Sequence, residues 1–343
     1  MRPSVIVALL NWNGKKHLAE FLPSVVSHSG DARIVVIDNA STDDSVAFLK
    51  SNFPNVEIIL NKSNSGYAGG YSEGLEKLDA DYFILLNSDV EVTPNWIDPV
   101  VQHMESDKKV AAAQPLIRSY SSRTHFEYAG AAGGFLDKDH YPFCRGRMFE
   151  TAEEDRNQYS SVREIFWATG ACLFVRASAY REVGGLDPDF FAHMEEIDFC
   201  YRLKNRGYKI LAVPPSIVFH LGGGTLNYDS PNKTYLNFRN NLFLIHKNYF
   251  GSYLFFKVFR RLSLDGLAGL KFLFSGKWKH FTAVIKAHFH YYGKLSLLGK
   301  KRSVNRNMRS TFNPAGMYRG SVILDYYLRG RKTFSALEEK KFL

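Results

Sequence analysis

Short apolar runs alternate with helix-like segments along the first third of the chain. Runs and segments follow one another in the order 5–10, 15–27, 33–38, 43–51, 56–60, 67–78, 82–86 and 94–106. Strand–helix alternation at this spacing is typical of a mostly parallel sheet with helices on both faces. The pattern therefore predicts an α/β fold built on a doubly wound sheet.

The pattern is less regular in the middle of the chain. Residues 118–162 are polar and contain several glycines, which predicts an insertion with a short hairpin. Beyond it, helices are predicted at 177–183 and 195–205, and strands at 208–213 and 217–219.

After about residue 234 the pattern changes to long amphipathic helices. In the segment 252–275, Lys257, Arg261 and Asp265 lie four residues apart on one face, and aromatic side chains lie on the other. Charges interrupt every apolar run here and in the segment 278–292. Neither segment is therefore predicted to span a membrane.

Charge divides the chain at the same place. Residues 1–249 carry 25 Lys/Arg and 30 Asp/Glu, whereas residues 250–343 carry 19 Lys/Arg and 4 Asp/Glu, so the balances are −5 and +15. We therefore predict a catalytic domain at 1–249 and a basic helical region at 250–343. A basic, aromatic-rich region is typical of proteins that bind an anionic membrane surface. Packing against the first domain or against a partner subunit is the alternative, and nucleic acid is not an expected partner.

Two further features bear on location. Cys144, Cys172 and Cys200 are far apart and match no disulfide or metal spacing, which indicates reduced thiols in a cytoplasmic protein. The N-terminal apolar run is too short for a signal peptide or a spanning helix. Together with the basic region, these features predict a peripheral protein at the inner face of the plasma membrane.

Polar side chains follow the apolar runs at three places. Asn87 and Asp89 come directly after the run 83–86, Asp38 ends another run, and His220 ends a third. Open α/β sheets bind ligands at the carboxyl ends of their strands. A carboxylate there can hold a divalent cation that binds a diphosphate, or accept hydrogen bonds from a nucleotide. A helix cap at Asp89, an Asx-turn at Asp38 and a structural histidine are the alternatives.

Two glycine-containing segments and one acidic segment complete the candidate chemistry. Asn64, Gly66 and Gly69 lie in a turn where backbone amides can approach a ligand, but the spacing matches neither G-x-G-x-x-G nor a P-loop. Glycines at 222–224 predict a lid over the substrate. Glu195, Glu196 and Asp198 open a helix after an apolar segment. A general base or a simple helix-dipole effect would explain these acids.

Taken in order, six segments resemble glycosyltransferase family 2, the inverting, nucleotide-sugar-dependent enzymes with the GT-A fold. They extend from Val5 to about Asn241 and read VIVALLNWNG, VVIDNASTDDS, NSGYAGG, LLNSDV, the block from WATGACLFV to RLKNRGY, and HLGGGT. Within the family, the chain is most similar to bacterial rhamnosyltransferase-like enzymes of polysaccharide assembly.

The resemblance implies a role for each matched position. The nucleotide-sugar site would comprise Asn11, Asp38, Asn64, Gly66, Gly69, Asn87, Asp89, Trp167 and Gly170. Asp89 would bind Mg²⁺ or Mn²⁺, with His220 as a further metal or diphosphate ligand. Asn87 replaces the first acid of the family's D-x-D motif, so metal affinity is expected to be weaker. Glu196 would be the catalytic base, and Glu195 and Asp198 would shape its site.

The implied reaction moves a sugar from a dTDP-rhamnose-like or UDP-sugar donor to a hydroxyl of a saccharide or a lipid-linked saccharide. Two other classes remain open from the residues alone. A metal-dependent nucleotidyltransferase would need a basic, glycine-rich loop near the first strand, and residues 9–13 do not supply it. A non-catalytic membrane scaffold would tolerate loss of the acids, yet Asp38, Asp89 and Glu196 are all present.

Overall fold

The computed structural model describes residues 2–222 and 230–343. Most of the glycine-rich segment that the sequence predicts as a lid lies outside the described residues. The described strands are β1 (Val5–Asn11), β2 (Arg33–Asp38), β3 (Glu57–Leu60), β4 (Tyr82–Asn87), β5 (Val90–Val92), β6 (Val110–Ser119), β7 (Gly134–Asp137), β8 (Pro142–Cys144), β9 (Arg147–Met148), β10 (Thr151–Ala152), β11 (Arg163–Glu164), β12 (Cys172–Arg176), β13 (Lys209–His220) and β14 (Met317–Tyr318).

The described α-helices follow the strands of the sheet and then dominate the last third of the chain. They are α1 (Lys15–His28), α2 (Ser45–Asn52), α3 (Gly66–Leu75), α4 (Asp98–Ser106), α5 (Ala177–Glu182), α6 (Glu195–Asn205), α7 (Pro231–Asn248), α8 (Leu254–Phe274), α9 (Trp278–Gly293) and α10 (Leu295–Met308).

The central sheet has the strand order β11-β13-β6-β12-β4-β1-β2-β3, with β5 paired to β13. Strands β3, β2, β1 and β4 are parallel, whereas β12 runs antiparallel between β4 and β6. Alternate residues of β1 pack on opposite faces: Ile6 and Ala8 join one apolar cluster, and Val7 and Leu9 join the other. Each face is covered by helices, which confirms the predicted α/β class with a mostly parallel sheet.

Three local predictions differ from the structure. The helix expected at 94–106 begins only at Asp98, because Trp96 turns inward and is completely buried. The two strands expected at 208–213 and 217–219 form the single strand β13, which has a register shift between Val213 and Ile217 at its two prolines. The strands β6 and β12 are not predicted, since alanines dominate the start of β6 and polar residues do not flank β12.

The 118–162 insertion forms more than one hairpin. Strands β7 to β10 make an antiparallel meander, and β14 near the C-terminus adds to it in parallel with β7. Phe334 and Phe342 from the C-terminal segment pack their rings on Phe135 of β7. The last residues of the chain therefore complete a second, smaller sheet.

Helix α7 links the part of the molecule that contains the central sheet to the C-terminal helices. It packs against α6 on one side and against α8, α9 and α10 on the other. Over the described ranges, no helix is both long enough and apolar enough to cross a membrane.

The polarity of α8 is inverted relative to an ordinary surface helix. Arg261 and Asp265 are buried and form an ion pair of 2.8 Å, and the Arg261 guanidinium lies over the ring of Tyr141. Phe255 and Phe274, on the same helix, are 74% and 85% exposed. The charged face therefore points into the protein, and the aromatic face points out.

Candidate active site

The carboxyl ends of β1 and β2 place Asn11 beside Asp38. The Asn11 amide donates to Asp38 Oδ1 at 3.0 Å and to Ser41 Oγ at 3.1 Å, and the Ser41 backbone N–H donates to Asp38 Oδ2 at 2.9 Å. The bond from the Ser41 N–H to Asp38 Oδ2 forms an Asx-type turn, which is one of the two roles that the sequence allows for Asp38. Both oxygens of Asp38 keep a lone pair for a further donor such as a nucleotide hydroxyl.

The glycines of the turn before α3 allow other groups to come close to its backbone. Asn64 Oδ1 accepts from the Gly66 backbone N–H and from the Asn39 amide, both at 3.0 Å. Gly66 has a φ of +75°, and a Cβ there would lie 2.5 Å from Phe191. A Cβ on Gly69 would lie 2.7 Å from Ser65. Glycine is therefore required at both positions, as the sequence predicts for this turn.

Asp89 and His220 meet where β4 and β13 end. Asp89 Oδ1 lies 3.2 Å from His220 Nε2, and Asn87 Nδ2 lies 3.4 Å from the same nitrogen. On the other side of the ring, His220 Nδ1 lies 3.3 Å from Glu127 Oε2. Burial lowers the pKa of His220, but the carboxylates of Asp89 and Glu127 outweigh it and raise that pKa to about 10. Burial likewise raises the pKa of Asp89, and His220 brings it below the ordinary value.

The arrangement around His220 fits a divalent cation. Asp89 Oδ1 and His220 Nε2 lie 3.2 Å apart, and a carboxylate oxygen and a neutral imidazole nitrogen are both groups that could hold such an ion. Glu127 on the far nitrogen is the outer partner that metal-bound histidines usually have. Within residues 2–222 and 230–343 no group of three His, Cys, Asp or Glu side chains forms a ready-made metal site. Asp89 and His220 are the two residues that would hold such an ion.

Glu195 and Glu196 open α6 with their carboxyl groups removed from water. One oxygen of each, Oε2, is buried without a hydrogen-bond partner. Burial and the neighbouring Glu196 raise the pKa of Glu195 well above its ordinary value. Burial raises the pKa of Glu196 to about 7. Backbone N–H groups at the helix start oppose this effect and limit the rise. Burial therefore favours the protonated form of Glu195, while Glu196 exchanges its proton near pH 7.

Asp198 lies apart from these two acids. Its carboxylate is completely buried and accepts from Arg202 at 3.0 Å and from Lys247 at 2.9 Å. The Asn248 amide adds a third bond of 2.7 Å. Asp198 therefore ties α6 to α7 through two buried ion pairs and a hydrogen bond.

Tyr67 connects the glycine turn to the acids of α6. Its hydroxyl donates to the Gly170 carbonyl at 2.7 Å, and a Cβ on Gly170 would lie 2.9 Å from that hydroxyl. Burial raises the pKa of Tyr67 well above its ordinary value, with smaller contributions from Tyr71, Glu195 and Glu196. The next residue after Gly170, Ala171, accepts from the Asn87 backbone N–H at 3.0 Å. Hydrogen bonds thus link the end of β4 to the loop at 170–171 and that loop to Tyr67 of α3.

Trp167 is placed behind this wall. Only 5% of its surface is exposed, its indole N–H donates to the Phe135 carbonyl at 3.0 Å, and its ring fills the space beside Gly134. The side chain supports the loop that carries Gly170 from inside the protein.

Glu127, Tyr67, Arg239 and Asn240 contribute to the site but are not predicted from the sequence. Glu127 falls in the irregular insertion, where no period marks it. Helix α7 carries polar residues along its whole length, so no break in its pattern marks the buried Arg239 and Asn240.

Comparison with known proteins agrees with this geometry. The family model described as "Glycosyl transferase family 2" matches residues 4–184, which is more than half of the chain. The chain belongs to glycosyl transferase family 2. This family 2 protein is therefore a glycosyltransferase, as the sequence predicts.

One relative is the N-acetylglucosaminyl-diphospho-decaprenol L-rhamnosyltransferase of Mycobacterium tuberculosis. It is 28% identical over 229 residues, which are 62% of this chain and 75% of the relative. The predicted resemblance to rhamnosyltransferases is thereby confirmed.

Two solved structures share the fold. The mannosyltransferase PcManGT from Pyrobaculum calidifontis, in complex with GDP-Man and Mn²⁺, has a TM-score of 0.53 at 12% identity, over 85% of this chain and 88% of that one. GalNAc-T7 with UDP, GalNAc and Mn²⁺ has a TM-score of 0.54 at 19% identity. That match covers 71% of this chain and only 48% of GalNAc-T7. These likenesses confirm the GT-A fold.

Proposed function

We propose that this family 2 glycosyltransferase moves a rhamnose or a related hexose from a nucleotide-diphosphate donor to a hydroxyl of a lipid-linked saccharide, with inversion of the anomeric centre. The process would be bacterial surface polysaccharide assembly. The observation that carries the proposal is the half-buried carboxyl of Glu196, which opens α6 next to the wall formed by Tyr67 and Gly170.

Glu196 fits the role of general base better than its neighbours do. Efficient base catalysis needs a pKa near the working pH, and burial places the pKa of Glu196 at about 7. Burial and the neighbouring Glu196 favour the protonated form of Glu195 by raising its pKa, and Asp198 is paired with Arg202 and Lys247. We assign the base to Glu196, a shaping role to Glu195, and a positioning role for α6 to Asp198.

The reaction is a single displacement. Glu196 takes the proton from the acceptor hydroxyl as that oxygen attacks the anomeric carbon, and the bond from this carbon to the diphosphate breaks. The donor lies on the strand ends, with Asn11 and Asp38 at the nucleoside and the 64–69 turn beside it. The sugar would lie beside the wall of Gly170 and Tyr67, where the missing Cβ of Gly170 leaves room for the Tyr67 hydroxyl.

A divalent cation is the expected cofactor, as Mg²⁺ or Mn²⁺. Asp89 and His220 would hold it, and Glu127 would orient the histidine. When bound, the cation neutralises charge that develops on the leaving diphosphate. Metal binding would require a neutral imidazole, so His220 would have to lose its second ring proton. Asn87 lies against the same ring, but its neutral amide contributes less to affinity than a carboxylate.

The inverted polarity of α8 supports association with a membrane surface. Large apolar side chains on α8 and α9 face outward, and we call them the outer aromatic face: Phe255, Phe256, Phe259, Leu267, Phe274, Trp278 and Phe289, each at least 60% exposed. Exposed aromatics beside an excess of Lys and Arg match the chemistry of an anionic lipid surface. We propose that this face holds the enzyme at the cytoplasmic side of the membrane, where a lipid-linked acceptor resides.

A donor panel tests the proposal. Purified protein is incubated with individual nucleotide sugars, dTDP-rhamnose and UDP-sugars included, and Mn²⁺, with and without a short-chain lipid-diphosphate saccharide. We expect release of nucleoside diphosphate from one donor class, accelerated by the acceptor, with product of inverted anomeric configuration. Retention of configuration, or turnover of a nucleoside triphosphate instead, would refute the proposed reaction.

A further inference from the structure

The segment directly before the proposed base has an unfavourable backbone. Phe191, His193 and Met194 all have positive φ values, of 64°, 68° and 72°. Side chains other than glycine disfavour this region, and such conformations persist only where the surroundings enforce them. Met194 is the last residue before α6, so the segment 190–194, which we call the pre-base turn, sets where Glu195 and Glu196 begin.

Two side chains of α7 hold the carbonyls of the pre-base turn. Asn240 Nδ2 lies 3.0 Å from the Phe190 oxygen, 2.9 Å from the Ala192 oxygen and 2.6 Å from the His193 oxygen. Arg239 Nη2 adds bonds to the Phe190 oxygen at 2.8 Å and the Asp189 oxygen at 3.1 Å. Arg239 Nε also donates to Asn240 Oδ1 at 2.8 Å, which fixes the direction of the amide.

The same turn contacts the donor side of the site. The Phe191 carbonyl accepts from the Ala68 backbone N–H at 3.2 Å, and the Phe191 ring lies where a Cβ on Gly66 would be. The pre-base turn thus contacts the 64–69 glycine turn on one side and leads directly into α6 on the other. Its geometry sets the distance between the donor and the base.

We propose that Arg239 and Asn240 form a clamp that positions Glu196 by holding the pre-base turn in its strained conformation. Both side chains are buried, and neither reaches Glu196 itself, so they act through the backbone. The inference rests on the proposed role of Glu196 as general base. Misplacing a catalytic group by about 1 Å can cost about 10²-fold in rate, so the clamp controls turnover more than donor binding.

Asn240→Ala and Asn241→Ala are a matched pair for the test. Both asparagines are buried neighbours in α7, but the Asn241 amide donates to the His140 carbonyl at 2.8 Å, on the side of the smaller sheet. We expect Asn240→Ala to lower kcat about 10²-fold with donor Kd nearly unchanged. Asn241→Ala should lower thermal stability without that loss of kcat. Equal kcat losses in the two variants would overturn the clamp.

The pH profile separates positioning from general destabilisation. If the turn relaxes in Asn240→Ala, water reaches Glu196 and the acid limb of kcat moves to lower pH. A protein that is merely less stable keeps the limb of the unmutated enzyme. Arg239→Lys is the second variant, because it keeps Asn240 and the positive charge but loses the planar fork. Arg239→Lys should lower kcat less than Asn240→Ala does, with a pH shift in the same direction. A pH profile of kcat that is unchanged in both variants contradicts the proposal.

Hydrogen exchange tests the clamp without any turnover. Amides of residues 190–198 should exchange faster in Asn240→Ala and in Arg239→Lys than in Asn241→Ala, and unchanged exchange there counts against the clamp. Failure of the unmutated protein to use any donor would instead overturn the proposed function, and the exchange result would still decide the clamp.

Discussion

Glu195 and Glu196 are adjacent in the chain, yet they differ in their access to water and in acidity. Glu195 is fully buried and has a pKa well above its ordinary range, whereas Glu196 is half-buried with a pKa of about 7. Two neighbouring carboxyls with separated pKa values can take different roles at one pH. The structure therefore distinguishes two carboxyls that look equivalent in the sequence.

Glu196→Gln should abolish transfer and leave donor binding intact. An amide cannot accept the acceptor's proton, and losing a general base costs about 10²–10⁴-fold in rate. Glu195→Gln is the matched control, because it makes the same change at the neighbouring, more deeply buried carboxyl and should retain most of the turnover. Steady-state kinetics and calorimetric donor titration of both variants provide the measurement. If Glu195→Gln were inactive and Glu196→Gln active, Glu195 would be the base and Glu196 would have the shaping role.

Transfer should depend on pH through Glu196. Its pKa is raised to about 7, so the active carboxylate form is the minor species below that pH and the major one above it. Turnover should therefore fall about tenfold per unit of pH well below 7 and level off above it. A profile of kcat from pH 5 to 9 with saturating donor measures this. Activity that stays level down to pH 5 would require a base of ordinary acidity.

Asp198→Asn should act on stability rather than on chemistry. Removing its charge leaves Arg202 and Lys247 buried beside a neutral amide, and breaking such a buried pair costs about 3–5 kcal/mol. Denaturant unfolding should show this loss, while kcat of the folded fraction at low temperature stays near that of the unmutated enzyme. Full stability combined with lost turnover would return Asp198 to the catalytic group.

Asp89→Ala should weaken binding of the nucleoside diphosphate and remove its response to Mn²⁺ or Mg²⁺. The motivation is the 3.2 Å approach of Asp89 to His220 at the strand ends. Calorimetry with added metal or with EDTA measures the effect. Identical nucleotide affinity of the unmutated protein in both conditions would rule out the metal site.

Glu127→Gln should lower metal affinity, although Glu127 would not bind the metal directly. The carboxylate lies 3.3 Å from His220 Nδ1, and loss of such an outer partner typically costs about 10- to 100-fold in metal affinity. Titration of free Mn²⁺ by electron paramagnetic resonance, in the presence of nucleoside diphosphate, measures this. Glu91→Gln, which removes a surface carboxylate paired with Arg123, is the control and should leave Mn²⁺ affinity unchanged.

Replacing Phe255, Phe259 and Phe274 together by Ser should reduce membrane binding at high salt. Inserted aromatics give a salt-insensitive contribution, while Lys and Arg add about 1 kcal/mol each near an anionic surface until salt screens it. Co-sedimentation with anionic vesicles at low and high salt separates the two contributions. Val26→Ser, an exposed apolar residue of α1, is the control. If the unmutated protein fails to sediment at low salt, the outer aromatic face is better explained as a contact between subunits.

The sequence alone determined the class of the fold and the strand ends that carry the site. Apolar runs of four to seven residues ending in Asn11, Asp38 and Asn87 are local signals, because strand formation and turn chemistry depend on neighbours in the chain. The family motifs in the same runs then indicated a glycosyltransferase. Strand β6 was missed because its burial, and not its alanine-rich composition, makes it a strand.

Only the tertiary structure decided what surrounds each acidic residue. Burial raises the pKa values of Glu195 and Glu196, and Asp198, in the same helical turn, accepts a hydrogen bond from Asn248 of α7, about 50 residues away in the chain. The same holds for Glu127 beside His220 and for the buried charges of α8. Solvent access and charge pairing are set by segments distant in sequence, so no local pattern encodes them.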